Sequence, residues 1–485
     1  MIAYKLHMSP AKCALDLGDG SERGEYVNQD YILNVLDKPH RGINLMYCYY
    51  PLDKGWPARA STLVQPGKAG FAWDYAYDDY FPYQGGLGNA AGEDTDGEPF
   101  ASMRDVRRHG QDVILTLTVD CAVSDEHLVQ IAKDLIPFGR LMLRINHEAT
   151  GTWFAFNKRY TYQQVADFYV RFHKIVKQHA PHISTILCIG GALKTKSGKM
   201  DYEDEFAKAI AEADIWSSDT YLSLHWGWPF DIAEPSGKSH KRSSNKIILE
   251  GLCFDFERFV ARAGKSKPFV LSEINADGDV NGPYEQAEQL VDFYRRIPKE
   301  APDITGITFY QFRDRGRLGL EMEDPNNSSV GIAQPFLEDY KKIMADSYYS
   351  PKMEQGEKLA FPAKLRWGSS EDADGITIPI DFEGNPVFCE VIFTDSADAE
   401  KLNAMMEING KWFYKKPGVK SVDLAPAFFK NRLNGKQRLE FRLFAPPASG
   451  TNDPSQGDDW CINYYYTLNA MPEFRIRYEP AMKIG

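Results

Sequence analysis

Residues 144–154 read RINHEATGTWF. Arg144, Asn146, His147 and Glu148 fall within five positions, directly after RLML, a run with the pattern of a buried strand. A second carboxylate, Glu273, stands in the same relation to another such run, at the end of KPFVLSEI. Two carboxyl groups facing each other across a cleft are what glycosidic bond cleavage requires. One must stay protonated, to give its proton to the departing oxygen. The other must stay ionised, to attack the anomeric carbon. At about 5–5.5 Å separation the attack yields a covalent intermediate, and the acid then acts as base toward water.

Whether Glu148 and Glu273 can face each other depends on the elements that carry them. Up to about residue 346, strand-like runs alternate with helix-like runs, the signature of a parallel α/β fold. The candidate strands are 42–50, 69–77, 112–119, 140–146, 184–191, 214–223, 268–274 and 304–312. The clearest helix spans 162–179, where Val165, Phe168, Tyr169, Phe172, Ile175 and Val176 share one face and Thr161 with Gln164 forms a capping box. Eight strand–helix units predict a (β/α)₈ barrel, whose catalytic groups sit at the C-terminal ends of its strands. Glu148 then ends the fourth strand and Glu273 the seventh, so both point into one mouth from different sides.

After about residue 350 the pattern changes to short strands: GITIPIDFEG, PVFCEVIFTD, MMEINGKWFYKK, KQRLEFRLFAPP and EFRIRYEP. Asn409-Gly410 and Asn434-Gly435 are hairpin turn signals. The fold class is therefore α/β, a (β/α)₈ TIM barrel with a C-terminal antiparallel β-sandwich domain. The expected division is an N-terminal extension at 1–40, the barrel at 41–350 and the sandwich at 351–485. The extension either lies along the barrel or adds a strand to the sandwich.

Composition narrows the function. A hydrophobic content of 43% with 26% charged residues is that of a soluble globular chain. The net charge of −12 disfavours nucleic acid, whose phosphates call for basic surface. No apolar run is long enough to cross a bilayer. The start, MIAYKLHMSPAKCALDL, lacks the apolar core of a signal peptide, so a cytoplasmic location is expected, or a secreted or periplasmic one if a leader was removed. The seven cysteines are scattered, with no C-x-x-C spacing, which fits neither a disulfide framework nor a zinc site. The expected partner is a carbohydrate. Aromatic content of 13% is either a large core or, in part, platforms on which sugar rings stack.

Here the residues resemble a known family. Barrels with the acid/base after strand four and the nucleophile after strand seven resemble clan A of the retaining glycoside hydrolases. RINHEATGTWFAF is similar to the R-P-x-H-E-x-x-G-x-W-F-W-W pattern of family 26, matching at Arg144, His147, Glu148, Gly151, Trp153 and Phe154. SSDTYLSLHW resembles that family's D-x-Y at strand six, giving Asp219 and Tyr221, and KPFVLSEINADG its strand-seven segment. The resemblance covers strand ends within about 43–312 and leaves out the sandwich. Ile145 replaces the pattern's Pro, Ala155 replaces a Trp, and strand eight ends FYQFRD where a Trp is common. The resemblance implies a retaining β-glycoside hydrolase acting on a mannan-, xylan- or glucan-type poly- or oligosaccharide, with Glu148 as acid/base and Glu273 as nucleophile. The alternative is a non-hydrolytic carbohydrate-binding protein on the same scaffold.

The remaining candidates each carry a plainer reading. Arg144 points into the barrel by strand alternation, and a buried Arg needs an anionic partner, for which Glu273 is the candidate. His147 is either a satisfied core histidine or a donor to substrate or nucleophile, and Asn146 a further substrate contact. Tyr221 resembles the tyrosine that orients the nucleophile, or is a core tyrosine. Trp153, Trp226 and Trp228 are candidate sugar platforms, with His225 and Gln311 as further substrate contacts. Glu250 competes for a catalytic role but opens a helix. No cofactor is required by this chemistry. Residues 277–288 match a calcium-loop pattern, with Asp277, Asp279, Asn281 and Glu288 as oxygen donors and Gly282 at the turn; otherwise they are a polar helix cap. In the sandwich, Trp412 or Trp460 could bind sugar, though packing on the barrel is the expected role.

Overall fold

In the computed structural model, which describes residues 1–19, 27–57, 81–89, 97–151, 154–191, 198–225, 240–314, 316–367, 372–444 and 464–479, eight parallel strands close into a barrel. They are β1 Ala14–Asp19, β2 Gly42–Tyr49, β3 Asp112–Val119, β4 Leu141–Ile145, β5 Ser184–Gly190, β6 Ile215–His225, β7 Phe269–Ala276 and β8 Ile304–Phe309. Each pairs with its sequence neighbour, and β8 closes the ring on β1, from Gly306 opposite Ala14 to Phe309 opposite Leu17. The strands read as continuous apolar runs because helices cover the outside while side chains fill the inside. The helix Tyr162–His179 has the expected bounds and the Thr161–Gln164 capping box.

The first strand is a correction. The barrel closes through Ala14–Asp19, which the sequence reading left in the N-terminal extension, and the candidate strand at 69–77 lies outside the described residues. Asp16 hides β1, because a buried acid interrupts its apolar alternation. Arg41 satisfies that acid through Nε at 2.9 Å. The segment before it, Ala3–Ser9, joins the sandwich instead, between Lys352–Leu359 and Gly375–Phe382. The N-terminal residues therefore belong to both units.

The sandwich packs a six-stranded antiparallel sheet, Lys352–Leu359, Ala3–Ser9, Gly375–Phe382, Gln437–Phe444, Ala404–Ile408 and Lys411–Lys415, against shorter ones around its own apolar core. Asn409 and Gly410, both in left-handed conformation (φ 54° and 82°), form the expected tight hairpin. Asn434-Gly435 is not a hairpin; it is a bend leading into Gln437–Phe444.

The outer face of the six-stranded sheet closes the N-terminal end of the barrel. Leu6, Leu33, Met405, Trp412 and Phe444 form a seam there, with Trp412 stacked on Phe444 at 5.2 Å and its backbone N–H donating to Asp37 O. A cavity of about 670 Å³ lies between the strand starts and this sheet. The sandwich thus sits at the opposite end from the strand C-termini. Trp412 is buried in packing, and Trp460 lies outside the described residues.

Candidate active site

Past the end of β4 the chain turns on Asn146, whose φ of 54° is tolerated by Asn better than by bulkier residues. Its side chain holds the turn: Oδ1 accepts from Val119 N at 2.7 Å, and Nδ2 reaches Cys121 Sγ. Asn146 is buried, and these bonds position the loop. The loop is tied further by Ala149 N to Cys188 O and by the Asn157 amide to the carbonyls of Ala149 and Gly151. A Cβ on Gly151 would meet the Phe154 ring at 2.8 Å, and that ring packs on His147 with centroids 4.7 Å apart. The glycine and the aromatic of the motif therefore serve to place His147 and Glu148.

Four groups converge on Glu273. Arg144, fully buried, donates from Nη1 to Glu273 Oε1 at 2.9 Å. His147 Nε2 lies 2.8 Å from the same oxygen. Tyr221 donates its hydroxyl to Oε2 at 2.9 Å. Asp219 is the register partner of Glu273 across β6 and β7, and pairs with the other arm of the Arg144 guanidinium. One oxygen or nitrogen from each of His147, Glu148, Asp219 and Glu273 lies within 4.8 Å of the others.

The two proposed catalytic carboxyls are treated differently by their surroundings. Burial pushes Glu273 up, but His147 and Arg144 outweigh it and hold it at about 2. Burial, and then the negative charges of Asp219 and Glu273, push Glu148 well above the usual carboxylate range. Among the described residues no nitrogen or hydroxyl donor reaches the carboxyl of Glu148, which is half-buried. Burial lowers His147, so a neutral imidazole donates its Nε2 proton to Glu273. Burial and the charge of Glu273 raise Tyr221, which stays a hydroxyl donor. Asp219 is pushed up to about 7 by burial, despite Arg144 beside it. The arrangement holds one carboxylate ionised and one carboxyl protonated at neutral pH, as general acid and nucleophile require.

This cluster is also the one group of three or more acidic, His or Cys ligands within metal-binding reach among the described residues. Arg144 lies in its centre and already supplies the positive charge, so a cation does not fit.

The other sequence candidates are not among the groups that meet Glu273 in the described residues. Gln311 is 1% exposed and turns toward Asp314. His225 ends β6, opposite His240; its side chain and the residues Trp153, Trp226 and Trp228 lie outside the described residues. Glu250 is exposed within the helix Asn245–Ala263 on the barrel's outside. The calcium-pattern residues do not assemble: Asp277 caps the one-turn helix Gly278–Asn281, Asp279 accepts from Arg317 N, Asn281 donates to Gln289, and Glu288 is exposed.

Two residues were under-read. Asp219 was noticed only beside Tyr221 in the D-x-Y segment, yet it is the third carboxylate of the cluster. Tyr310, after β8, lies edge-on to Tyr221 at 6.4 Å, and a Cβ on Gly18 of β1 would meet its ring at 3.0 Å. Gly18 leaves room for an aromatic across the mouth, and FYQFRD carried that signal.

No protein-family model and no curated protein matches the chain. Solved structures do. The chain is similar to a monomeric β-xylosidase from Caulobacter crescentus CB15, at 11% identity, covering 91% of this chain and 98% of that one, with a TM-score of 0.47. It is also similar to a modular endo-β-1,4-mannanase of glycoside hydrolase family 26 from Cellulomonas fimi (13% identity, 94% and 93% covered, TM-score 0.42). An α-L-arabinofuranosidase from Thermotoga maritima matches at 9% identity, with 91% and 98% covered and a TM-score of 0.45.

Proposed function

We propose that the chain is a retaining β-glycoside hydrolase. The observation that carries this reading is the contrast between two carboxyls within 4.8 Å of each other: Glu273 accepts hydrogen bonds from Arg144, His147 and Tyr221, while Glu148 is pushed toward its protonated form. Such closeness suits a nucleophile and leaves too little space for the interposed water of an inverting enzyme.

In the first step the ionised Glu273 attacks the anomeric carbon. The bond to the leaving oxygen breaks, and that oxygen takes the Glu148 proton. Arg144, His147 and Tyr221 hold the attacking group ionised and fixed, which removes motion that the reaction would otherwise have to overcome. In the second step Glu148, now a carboxylate, takes a proton from water as the oxygen attacks the same carbon. Glu273 departs, and the configuration is retained. Arg144 stays in place throughout and balances charge.

The substrate reading is a β-linked mannan-, xylan- or glucan-type saccharide, from the motif resemblance to family 26. The test is sugar release from β-mannan, glucomannan, β-1,3- and β-1,4-xylan, mixed-linkage and β-1,3-glucan, and galactan. Wild type is run beside Glu148→Ala and Glu273→Ala, each checked for folding. One polymer or its oligosaccharides should be cut, and each substitution should lower kcat on the order of 10²–10⁴-fold or more. Cutting that survives both substitutions would falsify the assignment. Binding of a glycan with no cutting anywhere in the panel would favour the non-hydrolytic alternative.

A further inference from the structure

The third carboxylate of the cluster has no part in the two-carboxylate scheme. Asp219 is 6% exposed. Its Oδ2 pairs with Arg144, and its Oδ1 is buried with no hydrogen-bond partner. A buried acceptor left unpaired costs about 1–3 kcal/mol, more when it is charged, so such an atom calls for a donor. The groups facing this point come from four strands: Arg144 on β4 with His147 and Glu148 just beyond it, Cys188 on β5, Asp219 on β6 and Glu273 on β7. Arg144 is committed to Asp219 Oδ2 and Glu273, and His147 is nearer Glu273 at 2.8 Å than Asp219 at 3.9 Å. Two donors are left, the Cys188 thiol, a weak one, and the Glu148 carboxyl, a strong one.

We propose that Asp219 is a positioning residue for the acid, accepting the proton of the Glu148 carboxyl as a hydrogen bond at its free Oδ1. This rests on the reading of Glu148 as acid/base. The direction of the Glu148 shift agrees with it, since the charge of Asp219 and a hydrogen bond to it are both among its causes, after burial. The pair titrates as a unit. Its charge also follows the reaction. Before attack, Glu273 and Asp219 are ionised and Glu148 holds the proton. When Glu273 becomes an ester its charge is consumed, and the proton passes from Glu148 to the leaving oxygen. Glu148 and Asp219 are then the two ionised groups. Their repulsion makes Glu148 a stronger base for the water that follows. The number of negative charges around Arg144 is the same at both stages.

The experiment is an infrared titration of the intact chain without substrate, with the Glu148→Gln spectrum subtracted to isolate the Glu148 carboxyl. In wild type the protonated-carboxyl band should persist well above the ordinary Glu range near ~4.3 and absorb at the lowered frequency of a strongly hydrogen-bonded acid. In Asp219→Asn its midpoint should fall by about 1–3 pH units, the effect of removing one adjacent like charge. Its frequency should rise as well. Asp219→Glu, which keeps the charge, should restore both toward wild type. A band in Asp219→Asn that titrates and absorbs as in wild type overturns the proposal. If Asp219→Asn does not fold, the wild-type band decides alone: the frequency of a free acid overturns the proposal, and a lowered one supports it. The titration needs no turnover, so a chain that cuts no glycan fails the glycosidase reading without changing this outcome.

Discussion

The barrel buries arginine against carboxylates at both ends. At the N-terminal end, Asp112 accepts from Arg107 at 3.0 Å and Arg140 at 2.8 Å, while Arg41 clasps Asp16. Three guanidinium groups meet two carboxylates: Arg140 and Arg107 outweigh burial and lower Asp112, while burial outweighs Arg41 and raises Asp16. At the C-terminal mouth, one guanidinium and one neutral imidazole meet three carboxylates, and two of the three are pushed up. The residue types are alike, and the ratio differs. The carboxylate with two cations beside it, Asp112, is held ionised and stabilises. Carboxyls short of cations retain a proton, and in the mouth, where Glu148 is half-buried, a retained proton is one that can be donated. Stability at the bottom face and chemistry at the top is the usual division in such barrels, and here it comes down to counting charges.

The sharpest way to break this comparison is to remove one carboxylate from each end. Asp112→Ala leaves Arg107, 3% exposed, without its carboxylate. Stranding a buried charge costs about 3–5 kcal/mol, so chemical denaturation should show a loss of that size, with kcat per folded molecule unchanged. Glu273→Gln should do the reverse. Activity goes, while the loss of unfolding free energy stays smaller than that of Asp112→Ala, because Arg144 keeps Asp219 as its partner. If Glu273→Gln destabilises as much as Asp112→Ala, the mouth is another structural ion-pair network and the contrast fails.

The second test is pH, where Glu148 and Asp219 of the mouth and Asp112 of the floor should pull stability in opposite directions. Glu148 and Asp219 are raised on folding. Between their ordinary values of 4.5 and 3.8 and their raised ones, the native state holds a proton that the unfolded chain has lost. Stability contributed there is full below the ordinary range and is lost as pH rises through the raised values, by about 1.4 kcal/mol per pH unit for each proton retained. Asp112 is lowered, so its contribution is full above 3.8 and is lost as pH falls through its folded value. Glu273, held at about 2, joins the acid side. Unfolding free energies measured across pH should therefore fall toward both extremes, and Glu148→Gln should lessen the alkaline slope and leave the acid side unchanged, with the shares of Asp219 and Asp16 remaining. An alkaline slope unchanged by Glu148→Gln would place the retained proton elsewhere.

What the sequence disclosed follows the same distinction between local and long-range information. Helix 162–179, strand 112–119 and the strand-end positions of Glu148 and Glu273 were legible, because periodicity, capping residues and the order of elements are local properties. β1 was not, since Asp16 makes sense in a strand only once Arg41 is known to lie beside it. The loop tie of Asn146 was missed for a similar reason. A polar residue next to the proposed acid suggests substrate, and only the position of Val119 N shows that its amide also ties the loop. Asp219 was seen but given no role, because an acid inside a strand shows neither how many carboxylates nor how many cations it will meet.

The smallest expected effect isolates burial as the variable. Lys416, in the sandwich, pairs with Asp30 at the start of the helix Gln29–Leu36, and Asp30 also meets His109 at 3.0 Å. The chemistry is that of the floor, but the two side chains are 58% and 38% exposed. Water and salt screen such a pair, and holding a long side chain in place opposes what attraction remains. Lys416→Ala should therefore change the unfolding free energy by at most about 1 kcal/mol, and by less still at high salt. The apolar seam of Leu6, Leu33, Met405, Trp412 and Phe444 would continue to hold the two units together. A loss comparable to that of Asp112→Ala would mean that exposed ion pairs pin the sandwich to the barrel. In that case burial would not be what separates the floor from other charged contacts of the chain.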